Sequence, residues 1–469
     1  MSNYDFEYPG EEDEFRNIES EITKCKALIA NGNLYSSIDQ IEDTVDNCIS
    51  DEKYNEGLFF IENLLTISPY NSDYWFKKGL FLNNLLCFSE SIQSYKKAIS
   101  LNPFDVEILN GKALAEENLN LLEDAELTWL SVLDIDNNNA EALESLANLY
   151  MHLKRVEIAV DFFNRAICSD PDNEKLYFDL ALCLEKNNRL EDALSNYEKL
   201  LDIDPYNEDG WYNKGVILGK LGDFKKAVDS YDYAIAINDK LSNAYFNKAN
   251  ALADMGKMRE AIDCFKECIF IDKSDEAAHF NIANIYEELE EFNNAIKYYT
   301  TAIEINKDYF EAFLSRGYCW DSIGKYQLAL KDFNKAISLC RNSVDAWYAK
   351  ADLEYSIGNL QDAINSYLEA LNIEPKNNEI WFNLGETYME VADYLEALNC
   401  FNHCISINPS DAEAFYNKAK INFLLKRTND AVECLKIAFN IDPTIKTSFE
   451  KDYPEIQSSK LLRKFLGEL

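Results

Sequence analysis

Histidine is scarce in this chain, three residues in 469, and positive charge is in deficit, with 45 Lys and Arg against 83 Asp and Glu for a formal net charge of −38. Phosphate contacts need clustered Lys and Arg, so this balance argues against a nucleic-acid partner and, for the same reason, against an anionic membrane surface. No uninterrupted apolar run approaches the length needed to cross a bilayer, and no membrane partner is expected. The opening residues, MSNYDFEYPGEEDEF, have neither a basic leader nor an apolar core, so they do not read as a secretory signal and a cytoplasmic protein is expected. The chain has twelve cysteines but no Cys-x-x-Cys. Cys264 with Cys268 and Cys400 with Cys404 recur at matching places, where a free thiol serves as a small hydrophobe. Cys400, His403 and Cys404 sit on adjacent turns of one helical pattern, but no fourth ligand accompanies them. They read as structural thiols, and no metal or cofactor is expected.

What the chain does have is a period. The stretch EDGWYNKGVILGKLGDFKKAVDSYDYAIAINDKL, from Glu208 to Leu241, holds two amphipathic helix patterns around the turn signal Gly222-Asp223. Trp211, Lys214, Gly215 and Leu218 form one helical face, and Phe224, Ala227, Tyr231 and Ala234 form the next. Such a hairpin cannot bury its apolar stripe alone and must stack on copies of itself. Counted in steps of 34, the register runs without insertion from Ser72 to Ile445, eleven repeats. The first small position of the second helix is Ala in every repeat but one, where Ser91 stands, and four positions later ten of eleven residues are aromatic, Leu435 being the exception. A late Pro occurs at Pro103, Pro171, Pro205, Pro375, Pro409 and Pro443, while Asn137, Asp239, Lys273, Lys307 and Arg341 replace it elsewhere.

These residue types at these spacings resemble the tetratricopeptide repeat, with Trp and Leu-Gly on helix A and Ala, an aromatic, Ala and a late Pro on helix B. The resemblance implies an all-α fold, a right-handed α-solenoid superhelix of helix-turn-helix repeats. Around the repeats of 72–445, residues 1–20 read as an acidic disordered arm. Residues 21–71 read as an N-terminal helix plus a degenerate capping repeat at Ile38–Asn71, and 446–469 as a capping helix that places Leu461, Leu462, Phe465 and Leu466 on one side.

No catalytic constellation emerges. His279 stands where other repeats have Trp or Phe, His152 lies near the end of a helix A, and neither has an activating partner. The segment Gly215 to Lys220, GVILGK, is one residue short of a phosphate loop and lies inside a helix. The carboxylate pairs are numerous, and none stands out for acid–base work.

In proteins that the chain resembles, helix A lines a concave groove through its fifth, sixth and ninth positions. The fifth position here carries Phe76, Phe178, Tyr212, Phe246, Phe280, Tyr348, Phe382 and Tyr416, rings that equally suit packing against the next helix A. The sixth carries Asn213, Asn247, Asn281, Asn383 and Asn417, with Asn250 and Asn284 one turn further on. An Asn side chain offers both a donor and an acceptor, the complement of an extended peptide backbone. The row is similar to the asparagine ladder on the repeat superhelix of the O-linked N-acetylglucosamine transferases, though without a catalytic domain. Ser145, Asp179, Ser315 and Ala349 interrupt it. Lys77, Lys175, Lys186 and Lys220 are scattered among acidic neighbours and do not reproduce the family's carboxylate clamp. The expectation is a non-enzymatic scaffold that holds a protein or extended peptide partner in its groove. An accessory subunit of a separate enzyme and a self-assembling structural protein are the open alternatives, and no oligomeric state is assigned.

Overall fold

Two turn chemistries punctuate every repeat, and they place each helix at the same register. The computed structural model describes residues 18–452, and among them there are helices and no strand. Helix A of each repeat is 13 residues long and starts on its first position, as in Ser72–Asn84, Glu208–Lys220 and Ala412–Leu424. Helix B is 14 residues long, as in Phe88–Leu101, Phe224–Ile237 and Thr428–Ile441. The degenerate repeat keeps the same places, Ile38–Ser50 and Tyr54–Ile67.

Helix A ends in a left-handed residue. Gly222, Gly256, Gly324 and Gly358 adopt it freely, but Leu86, Asn120, Lys154, Asn188, Glu290, Ala392 and Lys426 hold φ between 57° and 62° at the same position. The Asp223 amide donates to the Leu218 carbonyl at 2.9 Å and the Gly222 amide to that of Gly219 at 3.0 Å, the Schellman pattern that satisfies the last carbonyls. The fold therefore imposes the left-handed turn even where a side chain opposes it.

Helix B ends on Ile135, Ile237, Ile271, Ile305 and Leu339 in the repeats that lack the late Pro, the same place as in those that have it. In four of these the stop is an Asx turn. Asp136, Asn238, Asp272 and Asn306 each accept the amide two residues on, at 2.9–3.2 Å. The next helix A is then capped. Asn71, Asp105, Asn139, Asn207, Asp275, Ser343, Asn377 and Asp411 accept amides of its first turn. Each such cap contributes about 1 kcal/mol.

The ring on helix B fills the centre of its repeat. Trp129, Tyr197 and Tyr299 are fully buried there. Opposite lies a Gly or Ala of helix A, and a Cβ on Gly215 would come within 2.6 Å of the Tyr231 ring. Gly57, which replaces Ala in the degenerate repeat, makes room for the Phe81 ring of the repeat that follows. Trp75, Trp211, Trp347 and Trp381 each donate an indole N–H to the carbonyl of the preceding loop, at 2.8–3.0 Å.

Contacts divide the chain into two compact bodies, up to Ile237 and from Asn238. The first helix is Ile18–Ala30, so Ile18 to Ser20 belong to it rather than to an arm, and residues 1–17 lie outside the described residues. At the other end Thr444–Asp452 is helical, and Phe449 packs on Tyr416 and Phe439. The expected capping positions Leu461, Leu462, Phe465 and Leu466 lie outside the described residues.

Candidate functional site

Successive helices A within each body touch along one side, and the contacts define a face. In the second body the Tyr348 hydroxyl donates to Glu379 Oε1 at 2.8 Å and accepts from Asn383 Nδ2 at 2.9 Å. In the first, Asn110 donates to Glu141 at 2.6 Å, Lys175 to Glu144 at 2.5 Å and Lys220 to Glu185 at 2.8 Å. Positions 2, 5, 6, 12 and 13 of helix A are thus joined from one repeat to the next, with position 9 between them.

The fifth-position rings lean mainly on helix B of their own repeat, not on the next helix A. Phe178 meets Tyr197 at 5.9 Å, Tyr212 meets Tyr231 at 6.1 Å, and Phe246 meets Phe265 edge-on at 5.2 Å. Tyr348 and Phe382 do the same with Tyr367 and Phe401, and Phe76 with Tyr95. The reason is geometric, since the helix B ring reaches through the gap left by the small residue at position 8. Phe280 also touches Tyr309, the last residue of its repeat and the one before the next helix A, at 4.9 Å. These rings stay half-buried, with one side left on the face. Tyr416 does not, because Phe449 covers it and leaves it 7% exposed, and Asn417 is buried beside it.

The asparagines differ in what they have already bonded. Asn213 donates to the Asp209 carbonyl of its own helix at 2.9 Å, and Asn383 is held by Tyr348. Asn284 shares the Tyr299 hydroxyl with Glu287, at 2.6 and 2.5 Å. Asn247 is half-buried. Asn250 is exposed and Asn281 half-buried, and neither has a hydrogen bond among the described residues.

Sequence reasoning singled out none of the carboxylates on this face. Asp321 and Asp352, at positions 12 and 9, have no hydrogen bond or ion pair among the described residues. Partial burial raises the Asp352 carboxyl above the usual range although the residue is exposed overall, and the Glu379 charge adds to this. Asp321 is raised by burial and then by Asp352. Burial also raises Glu386, opposed by Lys420 and helped by Glu413 and Glu390. Reading charge at positions 9 and 12 of each repeat would have found them.

The scattered lysines of the first body are mostly neutralised: Lys77 reaches Asp46 at 2.6 Å and Asp73 at 3.2 Å, and Lys175 and Lys220 hold Glu144 and Glu185. His279 is buried against Tyr298, with its imidazole pushed toward the neutral form by loss of water. His403 stacks flat on Trp381 at 4.2 Å, while Cys400 and Cys404 are buried and their thiols raised to about 12 by burial. The Cys404 Sγ faces the Asn378 carbonyl at 3.7 Å, so thiol and imidazole serve separate packing roles. Gly215 to Lys220 lie within Glu208–Lys220, where the amides belong to the helix. No helix among the described residues is long and apolar enough to cross a membrane.

Models of the tetratricopeptide repeat match residues 208–241, 242–275, 276–309, 351–391, 379–411 and 412–445. The chain is a tetratricopeptide-repeat protein, an all-α solenoid of the class that acts as protein-interaction scaffolds. A bacterial transcriptional activator domain model matches residues 110–207. No curated protein matches the chain. Solved structures similar to it include YrrB, described as a TPR protein with an unusual peptide-binding site, at 21% identity over 41% of this chain and 98% of that one, TM-score 0.37. The Cut9–Hcn1 hetero-tetramer of APC/C matches at 17% identity over 85% and 92%, TM-score 0.35. MamA from residue 41 to its end, from Desulfovibrio magneticus RS-1, matches at 19% over 37% and 98%, TM-score 0.35.

Proposed function

We propose that this chain is a non-catalytic scaffold that holds an extended segment of a partner protein against its helix A face, the concave groove of a tetratricopeptide solenoid. One observation carries the reading. Asn250 and Asn281 stand on neighbouring repeats of the second body with no hydrogen bond among the described residues, beside the half-buried rings Phe246 and Phe280. An extended backbone supplies a donor and an acceptor at each residue, which is what an unengaged Asn lacks, and the rings give its side chains apolar footing. Binding in the cytoplasm belongs to the same proposal. The transcriptional activator match, residues 110–207, falls on repeats of the common register. No nucleic-acid partner is proposed for a chain of net charge −38.

The test is to select binders from a random linear peptide library on the full chain and measure one by fluorescence anisotropy. The Asn250→Ala, Asn281→Ala double variant should bind roughly tenfold more weakly, about 1.4 kcal/mol, with unchanged circular dichroism. Equal affinity for both proteins would place binding elsewhere, and failure to select any linear peptide would count against groove capture altogether.

A further inference from the structure

The helix A face of the second body carries charge that its own packing does not use. Across the four helices A from Glu276 to Glu390, positions 2, 5, 6, 9, 12 and 13 hold nine carboxylates and neither Lys nor Arg. The cations of these helices, Arg316 and Lys350, sit at position 7 and turn toward helix B. There Arg316 grips Asp332 with both its Nε and Nη2, at 2.7 and 2.8 Å, and Lys350 lies 3.7 Å from Glu354. Neither is available to the face. Burial raises the proton affinity of Asp321, Asp352 and Glu386 among its carboxylates, and neighbouring acids add to this, with Lys420 opposing the rise at Glu386.

Two further observations separate this from an ordinary solvated acidic surface. The acids alternate with rings, because Tyr318, Tyr348 and Tyr355 stand at positions 9, 5 and 12 of the same two helices. Tyr318 is 38% exposed, and Tyr348 and Tyr355 are half-buried, so their faces are partly open to a ligand. Aromatic faces beside carboxylates attract a cation by ring quadrupole as well as by charge. In the first body Lys77, Lys175 and Lys220 stand on this face and pair with Asp46 and Asp73, Glu144 and Glu185. From Glu276 to Glu390 the second body follows the same repeat pattern and lacks those lysines, and its next helix A carries Lys420 at position 9, which acts on Glu386.

We infer that the helix A face of the second body docks an extended segment of a partner protein that carries Lys or Arg side chains. This rests on the groove reading above and adds the sign of the partner's charge. The spacing suits it, since adjacent packed helices lie about 8–10 Å apart and a segment extended as polyproline II advances about 3.1 Å per residue with three residues per turn, which keeps every third side chain on one side. A cation at about every third residue therefore meets successive helices, while the backbone of the same segment continues along Asn250, Asn281 and Asn284 on the helices A Ser242–Asp254 and Glu276–Glu288.

The experiment compares three extended peptides of one length, with Lys, Gln or Glu at every third position and Ser and Thr between, by anisotropy at low and high salt. It uses the full-length chain, its Asp321→Asn, Asp352→Asn, Glu386→Gln variant, and a control with the same change in net charge on helix B, Glu304→Gln, Asp362→Asn, Glu396→Gln. The expected result is binding of the Lys peptide, weakened at least about tenfold in the face variant and by high salt, and nearly unchanged in the helix B control. An equal loss in both variants would reduce the effect to net charge and overturn the inference. Equal binding of the Gln and Lys peptides would overturn it while leaving the groove reading intact. If none of the three peptides binds, both readings fail.

Discussion

The two bodies are built on one register, yet they treat the same face in opposite ways. In the first, acids at positions 5, 9 and 12 are met by lysines on the neighbouring helix A, at 2.5 Å for Glu144, 2.6 Å for Asp46 and 2.8 Å for Glu185. In the second, positions 2, 5, 6, 9, 12 and 13 from Glu276 to Glu390 hold no basic residue, and Asp321 and Asp352 have no hydrogen bond or ion pair among the described residues. The cores beneath do not differ in kind, since buried rings from Trp129 to Phe401 fill both. The lesson is that the helical hairpin leaves its face electrostatically free. Core positions answer to packing, and the face answers to whatever it must hold.

Four substitutions or conditions sharpen or break that comparison. The largest effect is expected in the core. Trp129→Ala in the first body and Phe401→Ala in the second should each remove about 3–5 kcal/mol. Hydrogen exchange should show the loss concentrated in the body that carries the substitution and its immediate repeats, because a repeat stack is held by neighbour interfaces. Equal loss of protection throughout both bodies would contradict their separation.

Next come the buried ion pairs, one in each body. Glu116 in the first is 1% exposed and is held by Lys112 at 2.7 Å and the Thr128 hydroxyl at 2.7 Å. In the second, Arg316 and Asp332 are held bidentately. Lys112→Ala and Arg316→Ala each strand a buried carboxylate and should lower stability by about 3 kcal/mol in urea unfolding. Replacing both partners with apolar residues of similar volume should recover most of it.

A smaller effect distinguishes the turns. Among the eleven repeats, the first body has Gly at the left-handed position once, at Gly222, with Leu86, Asn120, Lys154 and Asn188 elsewhere, and the second has it at Gly256, Gly324 and Gly358, with Glu290, Ala392 and Lys426 elsewhere. Lys154→Gly should stabilise by up to about 1 kcal/mol and raise the midpoint of thermal unfolding. Gly324→Ala should lower it by a similar amount.

The smallest effect is with pH. Asp321, Asp352 and Glu386 have folded-state proton affinities above the usual carboxylate range, so they bind protons in the folded chain before the unfolded one does. Their contribution is favourable at pH below the ordinary carboxylate values and is lost as pH rises through the raised ones. The second body should therefore melt slightly higher in mild acid than at neutral pH, and Asp352→Asn should flatten that slope. Further acidification works the other way through Asp223, Asp272 and Asp442, whose affinities are lowered by hydrogen bonds. Melting temperatures across the acid range would show both limbs.

Much of this molecule is legible in the sequence because its core is periodic. The small Ala of helix B, the aromatic four residues later and the Gly-Asp turn each recur at fixed steps, and the helices start and stop where those steps put them. The stop signal for helix B was only half legible. The late Pro is its visible form, but Asp136, Asn238, Asp272 and Asn306 end their helices by side-chain hydrogen bonds that look in sequence like ordinary polar residues. In sequence the fifth-position rings read as packing against the next helix A, but they lean mainly on helix B of their own repeat, since the pairing of Phe246 with Phe265 depends on the depth at which two helices pack. The buried state of Tyr416 and Asn417 came from Phe449, beyond the last repeat.

By itself the sequence determined the repeat, its length and the residues that fill its centre, because hydrophobic periodicity is a local property that each hairpin expresses alone. Only the tertiary structure decided which polar side chains find partners. Lys175 reaches Glu144 and Lys220 reaches Glu185 across neighbouring repeats, 31 and 35 residues away, while Asp352 is left with Glu379 as its charged neighbour. Charge is felt through space at distances set by packing, and no period in the chain records that.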